Sequence, residues 1–189
     1  MFEPLQTPRL LLRSFRDADL EPLLAYRNDP EVYRYQGWKT PFSRMSALEF
    51  IANMKDVRPG TPGVWMQIAI ECRDANSAQA GLMIGDVAFH ITMANPRFAY
   101  LGYSLARSAW GQGYAQEAVS KTLTYLFGVL NLHRVVAACD VDNVSSVRLL
   151  ERLHFRREAH YIENFWLEKE CAWGSEYLYA MLQREWLLR

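Results

Sequence analysis

Two glycines, Gly111 and Gly113, sit where an apolar extended run gives way to a long helical pattern. Glycine at such a junction lets the backbone turn tightly and approach a ligand closely. The first turn of the following helix leaves amide groups without partners. Together with the positive helix end they attract an anion, typically phosphate. The stretch reads Gly102-Tyr103-Ser104-Leu105-Ala106-Arg107-Ser108-Ala109-Trp110-Gly111-Gln112-Gly113-Tyr114-Ala115-Gln116-Glu117-Ala118. A dinucleotide fingerprint would need glycine at position 116, where Gln116 stands. The Walker pattern, with its Gly-Lys-Ser/Thr, is absent. Two glycines alone also fit a plain strand–helix turn.

A second segment, Asp140 to Phe155, follows a short apolar strand and places Asn143 and Ser146 at a helix start. Asp142 or Asn143 suits the N-cap, and Ser146 suits a hydrogen bond within the first turn. His90 alternates with Phe89 on a strand and reads as structural. His133, His154 and His160 lack ligand spacing, so no metal site is expected.

The elements that must position these residues alternate between extended and helical patterns. Arg9–Phe15 reads as the first strand. Asp17 suits the cap of a helix carrying Leu20, Leu23 and Leu24, which must end near Asn28-Asp29-Pro30. Ser43 caps a helix with Ala47, Phe50, Ile51 and Met54 on its apolar face. The alternation from Val64 to Glu71 predicts a half-buried second strand, and Leu82–Ile91 a third, antiparallel to it. Phe98–Leu105 is the fourth strand. From Ala115 the period turns helical, with Ala118, Val119, Thr122, Leu123, Leu126, Phe127 and Leu130 on one face. His133–Asp140 is a fifth, nearly all-apolar strand with both faces covered. Phe155 onward is extended, and Ser175–Trp186 suits a final strand. The sum is one α+β domain over residues 1–189, built on a mixed sheet.

Composition excludes several classes. Lys plus Arg and Asp plus Glu are 21 each, so no basic excess meets a nucleic acid. No apolar run reaches the roughly 18 residues of a membrane span. The opening Met1–Pro8 lacks a basic patch followed by an apolar run, so no secretory signal is expected. Cys72, Cys139 and Cys171 form neither a disulfide framework nor a CxxC site, and a reducing cytoplasm is the expected setting.

The ordered set of motifs resembles the GNAT superfamily of acetyl-CoA-dependent N-acetyltransferases. The loop Trp110-Gly111-Gln112-Gly113-Tyr114-Ala115 is similar to that family's Gln/Arg-x-x-Gly-x-Gly/Ala pattern. Gly-x-Gly-Tyr-Ala-x-Glu-Ala preceded by Trp, the Asn143/Ser146 pair, Thr7-Pro8-Arg9-Leu10-Leu11-Leu12-Arg13, Asn28–Val32 and Glu185-Trp186 resemble the branch that acetylates N-termini of ribosomal proteins. Two positions depart from the family. His154 stands where glycine is usual, which implies a differently shaped turn before Phe155. Tyr100 stands where many relatives carry a basic-catalyst Glu.

The resemblance implies a GNAT fold, α+β, with a largely antiparallel sheet flanked by helices and a splay between the fourth and fifth strands. It implies acetyl-CoA as co-substrate, its pyrophosphate on the amides of Gly111, Gln112, Gly113, Tyr114 and Ala115, beside Trp110. The main chain near Leu105 would pair with the pantetheine arm, Asn143 would bond that arm, and Ser146 would protonate the departing thiolate. Glu176 is the first choice for the base, ahead of Asp86, Glu163 and His90. Tyr35 and Trp38, within the aromatic cluster Tyr33–Trp38, would wall the acceptor pocket. Trp166 and Trp173 would line that pocket or an oligomer contact, such as a homodimer. An α-amine, with pKa near ~8, costs only about 1 kcal/mol to deprotonate at pH 7, far less than a lysine near ~10.4. The branch that the sequence resembles implies a protein or peptide N-terminus as the acceptor. A small-molecule amine of aminoglycoside or polyamine type, or a non-catalytic acyl-CoA-binding role, is the alternative.

Overall fold

A computed structural model describes residues 2–167 and 171–189. The elements run β1 (Leu5–Gln6), β2 (Leu10–Arg13), α1 (Leu20–Arg27), α2 (Pro30–Tyr33), α3 (Arg44–Asp56), β3 (Trp65–Cys72), β4 (Met83–Ile91), β5 (Phe98–Leu105), α4 (Tyr114–Thr124), β6 (Arg134–Asp140), α5 (Val144–Arg152), β7 (Arg156–Leu167), β8 (Ala172–Leu182) and α6 (Gln183–Leu187). The described strands form one sheet ordered β1-β2-β3-β4-β5-β6-β8-β7. Every pairing is antiparallel except β5 with β6. The fourth and fifth strands of the sequence reading are β5 and β6, because the short β1 precedes them.

Apolar side chains fill both sides of the sheet. One core joins Leu10, Leu12, Ile68, Ile70, Val87, Phe89 and Leu101 to Val119 and Leu123 of α4 and Leu150 of α5. A second, smaller core packs Phe15, Leu20, Leu23, Tyr26 and Ile51 onto Ala69 and Met83. This second core corrects the expected half-buried strand: Ala69 and Glu71 are buried although they alternate with Ile68 and Ile70. Glu71 tolerates burial because Arg13 Nε donates to it at 2.6 Å and Arg16 Nη1 at 3.0 Å. On β6, Val135, Val136 and Ala137 are covered, but Ala138 is exposed.

Local signals set most boundaries. Ser43 accepts from Ser46 N and starts α3, and Asn143 accepts from Ser146 N and starts α5. Asp17 does not cap α1. It lies inside a 3-10 turn, Asp17–Asp19, where Asp19 accepts from Arg16 N at 2.7 Å and forks onto Arg13 at 2.7 and 2.8 Å. The last strand stops at Leu182, and Gln183–Leu187 is helical because Glu185 accepts from Leu182 N.

The departure at His154 does not change the turn it ends. His154 N donates to Glu151 O at 2.8 Å and Phe155 N to Leu150 O at 2.9 Å, with His154 at φ +58°. That is a Schellman closure with a side chain held in the left-handed position that suits glycine. A left-handed non-glycine residue costs roughly 1–2 kcal/mol. We therefore expect His154→Gly to stabilise the fold by about 1 kcal/mol, as a rise in urea midpoint at constant m-value.

Candidate active site

The two middle strands part company. β5 pairs with β4 from Ala99 to Leu105. Its pairing with β6 covers only Phe98–Tyr100 against Arg134–Val136, while β6 stays with β8 as far as Asp140. Ala106 N donates to Ile84 O at 2.8 Å, which fixes the alternation along the β4 side of β5. Tyr103 and Leu105 consequently aim their main-chain groups into the gap. The Leu105 carbonyl is taken by the Trp110 indole at 2.9 Å. The Leu105 amide and both Tyr103 groups remain for a strand-like ligand.

The gap widens into a cleft of about 560 Å³ that ends at the N-terminus of α4. Gly111 and Gly113 hold φ +74° and +80°, conformations that glycine adopts without penalty. Gly113 is the N-cap and offers no side-chain acceptor, and the first helical bond runs from Glu117 N to Gly113 O. The amides of Tyr114, Ala115 and Gln116 thus lack helical partners beside the cleft. A Cβ at Gly111 would meet nothing within 4 Å, so the loop is open where a ligand would approach.

Charge reinforces this end. Arg34, Arg148 and Arg152 line the cleft, and none forms an ion pair among the described residues. On α5, the neighbouring Glu151 is engaged by Arg157 at 2.6 Å. Guanidinium groups free of ion pairs, in a cleft that also offers helix amides, suit an anion with several phosphates. The sequence reading missed all three. The available signal was the i, i+4 spacing of Arg148 and Arg152 one turn behind Asn143.

Leu105, Trp110, Gly111, Gly113, Tyr114, Ala115, Asn143, Ser146 and Tyr35 all line the cleft. Tyr114 offers its main chain alone. Its ring is buried under the Arg9 guanidinium, 4.6 Å away, and its hydroxyl bonds Asp74 at 3.2 Å. Gln112 lies off the lining, its amide donating to Ser108 O at 2.9 Å. Asn143 spends its oxygen on the Ser146 amide at 3.2 Å, which leaves its NH₂ for a ligand. Tyr35 donates to the Asp142 carbonyl at 3.2 Å and so ties α2 to the start of α5 across the cleft.

At the inner end a residue that sequence reasoning missed joins Ser146. The Tyr103 hydroxyl is buried without a hydrogen-bond partner among the described residues. Burial pushes this phenol's pKa well up; Ser146 lies close enough to oppose the rise without completing a bond. Burial also pushes the nearby Cys139 thiol up to about 12.

The other expected residues lie elsewhere. Trp38 belongs to the smaller core, not the cleft, with its indole donating to Arg27 O at 3.1 Å and its ring 4.8 Å from that guanidinium. Glu176 is on β8 outside the cleft lining and accepts from Asn164 at 2.8 Å. Asp86 is buried, bonded by Tyr26 and 3.5 Å from Arg27, and burial raises its pKa. Glu163 sits on the irregular stretch of β7 with φ +48°. His90 lies between the rings of Trp65 at 5.3 Å and Tyr100 at 6.4 Å. Tyr100 is exposed at the last β5–β6 pair. The structure does not bring Glu176 together with Ser146.

Comparison with known proteins adds the family. Residues 9–156 match the acetyltransferase (GNAT) domain. The uncharacterized N-acetyltransferase YoaA of Bacillus subtilis is 34% identical over 84% of this chain and 85% of its own. The spermidine N(1)-acetyltransferase of Vibrio cholerae is 35% identical over 84% and 86%. The ribosomal protein uS5-alanine N-acetyltransferase of Escherichia coli is 29% identical over 46% and 44%. Among solved structures, a GNAT-family acetyltransferase from Bacillus anthracis superposes with TM-score 0.79 at 25% identity, over 97% of this chain and all of that one.

A carboxylate placed in the amide nest tests the geometry. Gly111→Glu, at the open position of the loop, should weaken binding of a coenzyme A ligand by about 100-fold or more while the far-ultraviolet spectrum stays native. Calorimetry showing unchanged affinity would reject this placement of the anion.

Proposed function

The chain belongs to the GNAT family of acetyl-CoA-dependent N-acetyltransferases, as its motifs imply, and we propose that the amine it acetylates is the α-amine of a protein or peptide N-terminus. The observation that carries the reading is the β5–β6 gap, an unpaired strand edge that leads to a cationic helix N-terminus. Bound acetyl-CoA supplies the acetyl thioester.

The chain's own groups then have distinct tasks. The amides of Tyr114, Ala115 and Gln116 receive the diphosphate, with Arg34, Arg148 and Arg152 balancing its charge. The Tyr103 and Leu105 main chain holds the pantetheine arm as an added strand. A main-chain amide on that strand is placed to stabilise negative charge on the thioester oxygen during attack. The Asn143 NH₂ bonds the arm, and the Ser146 hydroxyl donates its proton to the departing sulfur, with the Tyr103 phenol beside it. Tyr35 borders the acceptor.

No carboxylate among the candidate bases lines the cleft, and Glu31 and Asp142 are the acids that do. An α-amine is partly neutral at pH 7, so water suffices to take its proton. The spermidine-acetylating relative supports a second reading, a small polyamine acceptor. Its test is an amine panel that sets spermidine against peptides bearing a free N-terminus. A reducing cytoplasm is the proposed setting, in keeping with the buried thiols of Cys72 and Cys139. A homodimer is the proposed assembly; it would cover Trp166 and Trp173, which meet edge to face at 5.5 Å and stay exposed at the β7–β8 end.

Thiol release from acetyl-CoA should be fastest with peptides bearing a free N-terminus and should rise with pH toward ~8 as the amine deprotonates. A higher kcat/KM for spermidine would reassign the acceptor. Ser146→Ala should lower kcat about 10- to 100-fold with the acetyl-CoA Kd unchanged, whereas a loss confined to affinity would make Ser146 a holding group.

A further inference from the structure

The N-terminal Thr7-Pro8-Arg9 segment and the first turn of α4 are far apart in sequence and tightly joined in space. Glu117 Oε1 accepts from Thr7 Oγ1 at 2.5 Å and from Arg9 N at 2.9 Å, and Oε2 accepts from Arg9 Nε at 2.8 Å. Arg9 Nη2 lies 2.7 Å from the same Oε2, and Nη1 donates to Gln112 O at 2.9 Å. The guanidinium also covers the Tyr114 ring, and a Cβ on Gly113 would come within 3.4 Å of Nη2. One side chain therefore touches Gln112, Tyr114 and Glu117 and lies beside Gly113.

Two consequences follow from elementary chemistry. In a trans peptide the carbonyl and the next amide point in opposite directions. Holding the Gln112 carbonyl on the Arg9 side turns the Gly113 amide the other way, toward the cleft that Gly113 lines. Glu117 is an anion in the first turn of α4 and would by itself weaken the attraction of that helix end for phosphate. Arg9 cancels its charge.

Resting on the GNAT reading above, we propose that Arg9, braced by Glu117, is a positioning residue that shapes the Gln112–Tyr114 backbone for the cofactor diphosphate. Arg9 touches neither the thioester nor the amine. Its effect is confined to donors that carry the diphosphate.

The test compares acetyl-CoA with acetyl-pantetheine, which has the same thioester arm and no diphosphate, using the amine that turns over fastest in the panel. Arg9→Met should raise KM for acetyl-CoA and the calorimetric Kd for coenzyme A by about 10-fold or more, with kcat changed less than about 3-fold. Its kcat/KM with acetyl-pantetheine should match wild type. Arg9→Lys keeps the charge opposite Glu117 without the fork to Gln112, so its KM should fall between the two. Glu117→Gln should loosen the brace and raise KM in the same selective way. Equal losses with both donors, in variants that melt cooperatively, would reduce Arg9 to a structural role and overturn the proposal. So would an unchanged KM and Kd in all three variants. A wild-type enzyme that uses both donors equally well would instead overturn the diphosphate reading beneath it.

Discussion

A sheet that opens along one seam has to leave main-chain donors and acceptors unpaired in its middle. Strand β6 stays with β8 to Asp140 but leaves β5 after Tyr100. Unpaired peptide groups inside a fold cost free energy unless something bonds them. That cost selects the occupant. It must be narrow enough to lie between strands and amide-bearing enough to pair with Tyr103 and Leu105. The far end of the gap adds a second requirement, because it terminates on free helix amides in a cleft lined by three arginines. A peptide-like arm with an anionic tail satisfies both, and it places whatever hangs from its other end at the vertex, near Tyr100.

Which parts of this were legible in the sequence follows from how far each signal reaches. Gly111 and Gly113 were readable because a positive φ is a local demand that few other residues meet. Ser43 and Asn143 were readable as caps for the same reason. Asp17 and Asp19 were equally good caps by type, and the choice was made by Arg13, which lies on a strand and captures Asp19. The alternation from Val64 to Glu71 gave the strand correctly and its wet face incorrectly. Burial of Ala69 and Glu71 depends on α1 and α3 crossing that face and on Arg13 and Arg16 reaching it, none of which is encoded in the strand itself. Trp38 shows the same limit from the other side: an aromatic residue declares that it packs, not against what. Arg148 and Arg152 carried a spacing signal, but nothing local marked them or Arg34 as left without an ion pair.

The position of the proton acceptor is where residue type misled most. Asp86 has the perturbed environment expected of a catalytic carboxyl, yet the cause of the perturbation is enclosure by Tyr26 and Arg27, which also shields it from an amine. A raised pKa produced by burial beneath helices is a structural signature, and a functional one only when solvent or substrate can reach the group. Arg27 stacks on Trp38, Phe42 and Phe50 at 4.2 to 4.9 Å, so the charged cluster serves to seat α1 on the sheet.

Removing a strong base from the vertex changes which amines can react. A lysine side chain must give up several kcal/mol to become neutral at pH 7, and a carboxylate near the nucleophile is the usual way to offset that; an α-amine needs about 1 kcal/mol. With Tyr100 in the vertex position, the barrier left to the substrate's own acidity favours the weaker base. Intrinsic amine basicity is thus the constraint on which the proposed N-terminal acceptor rests.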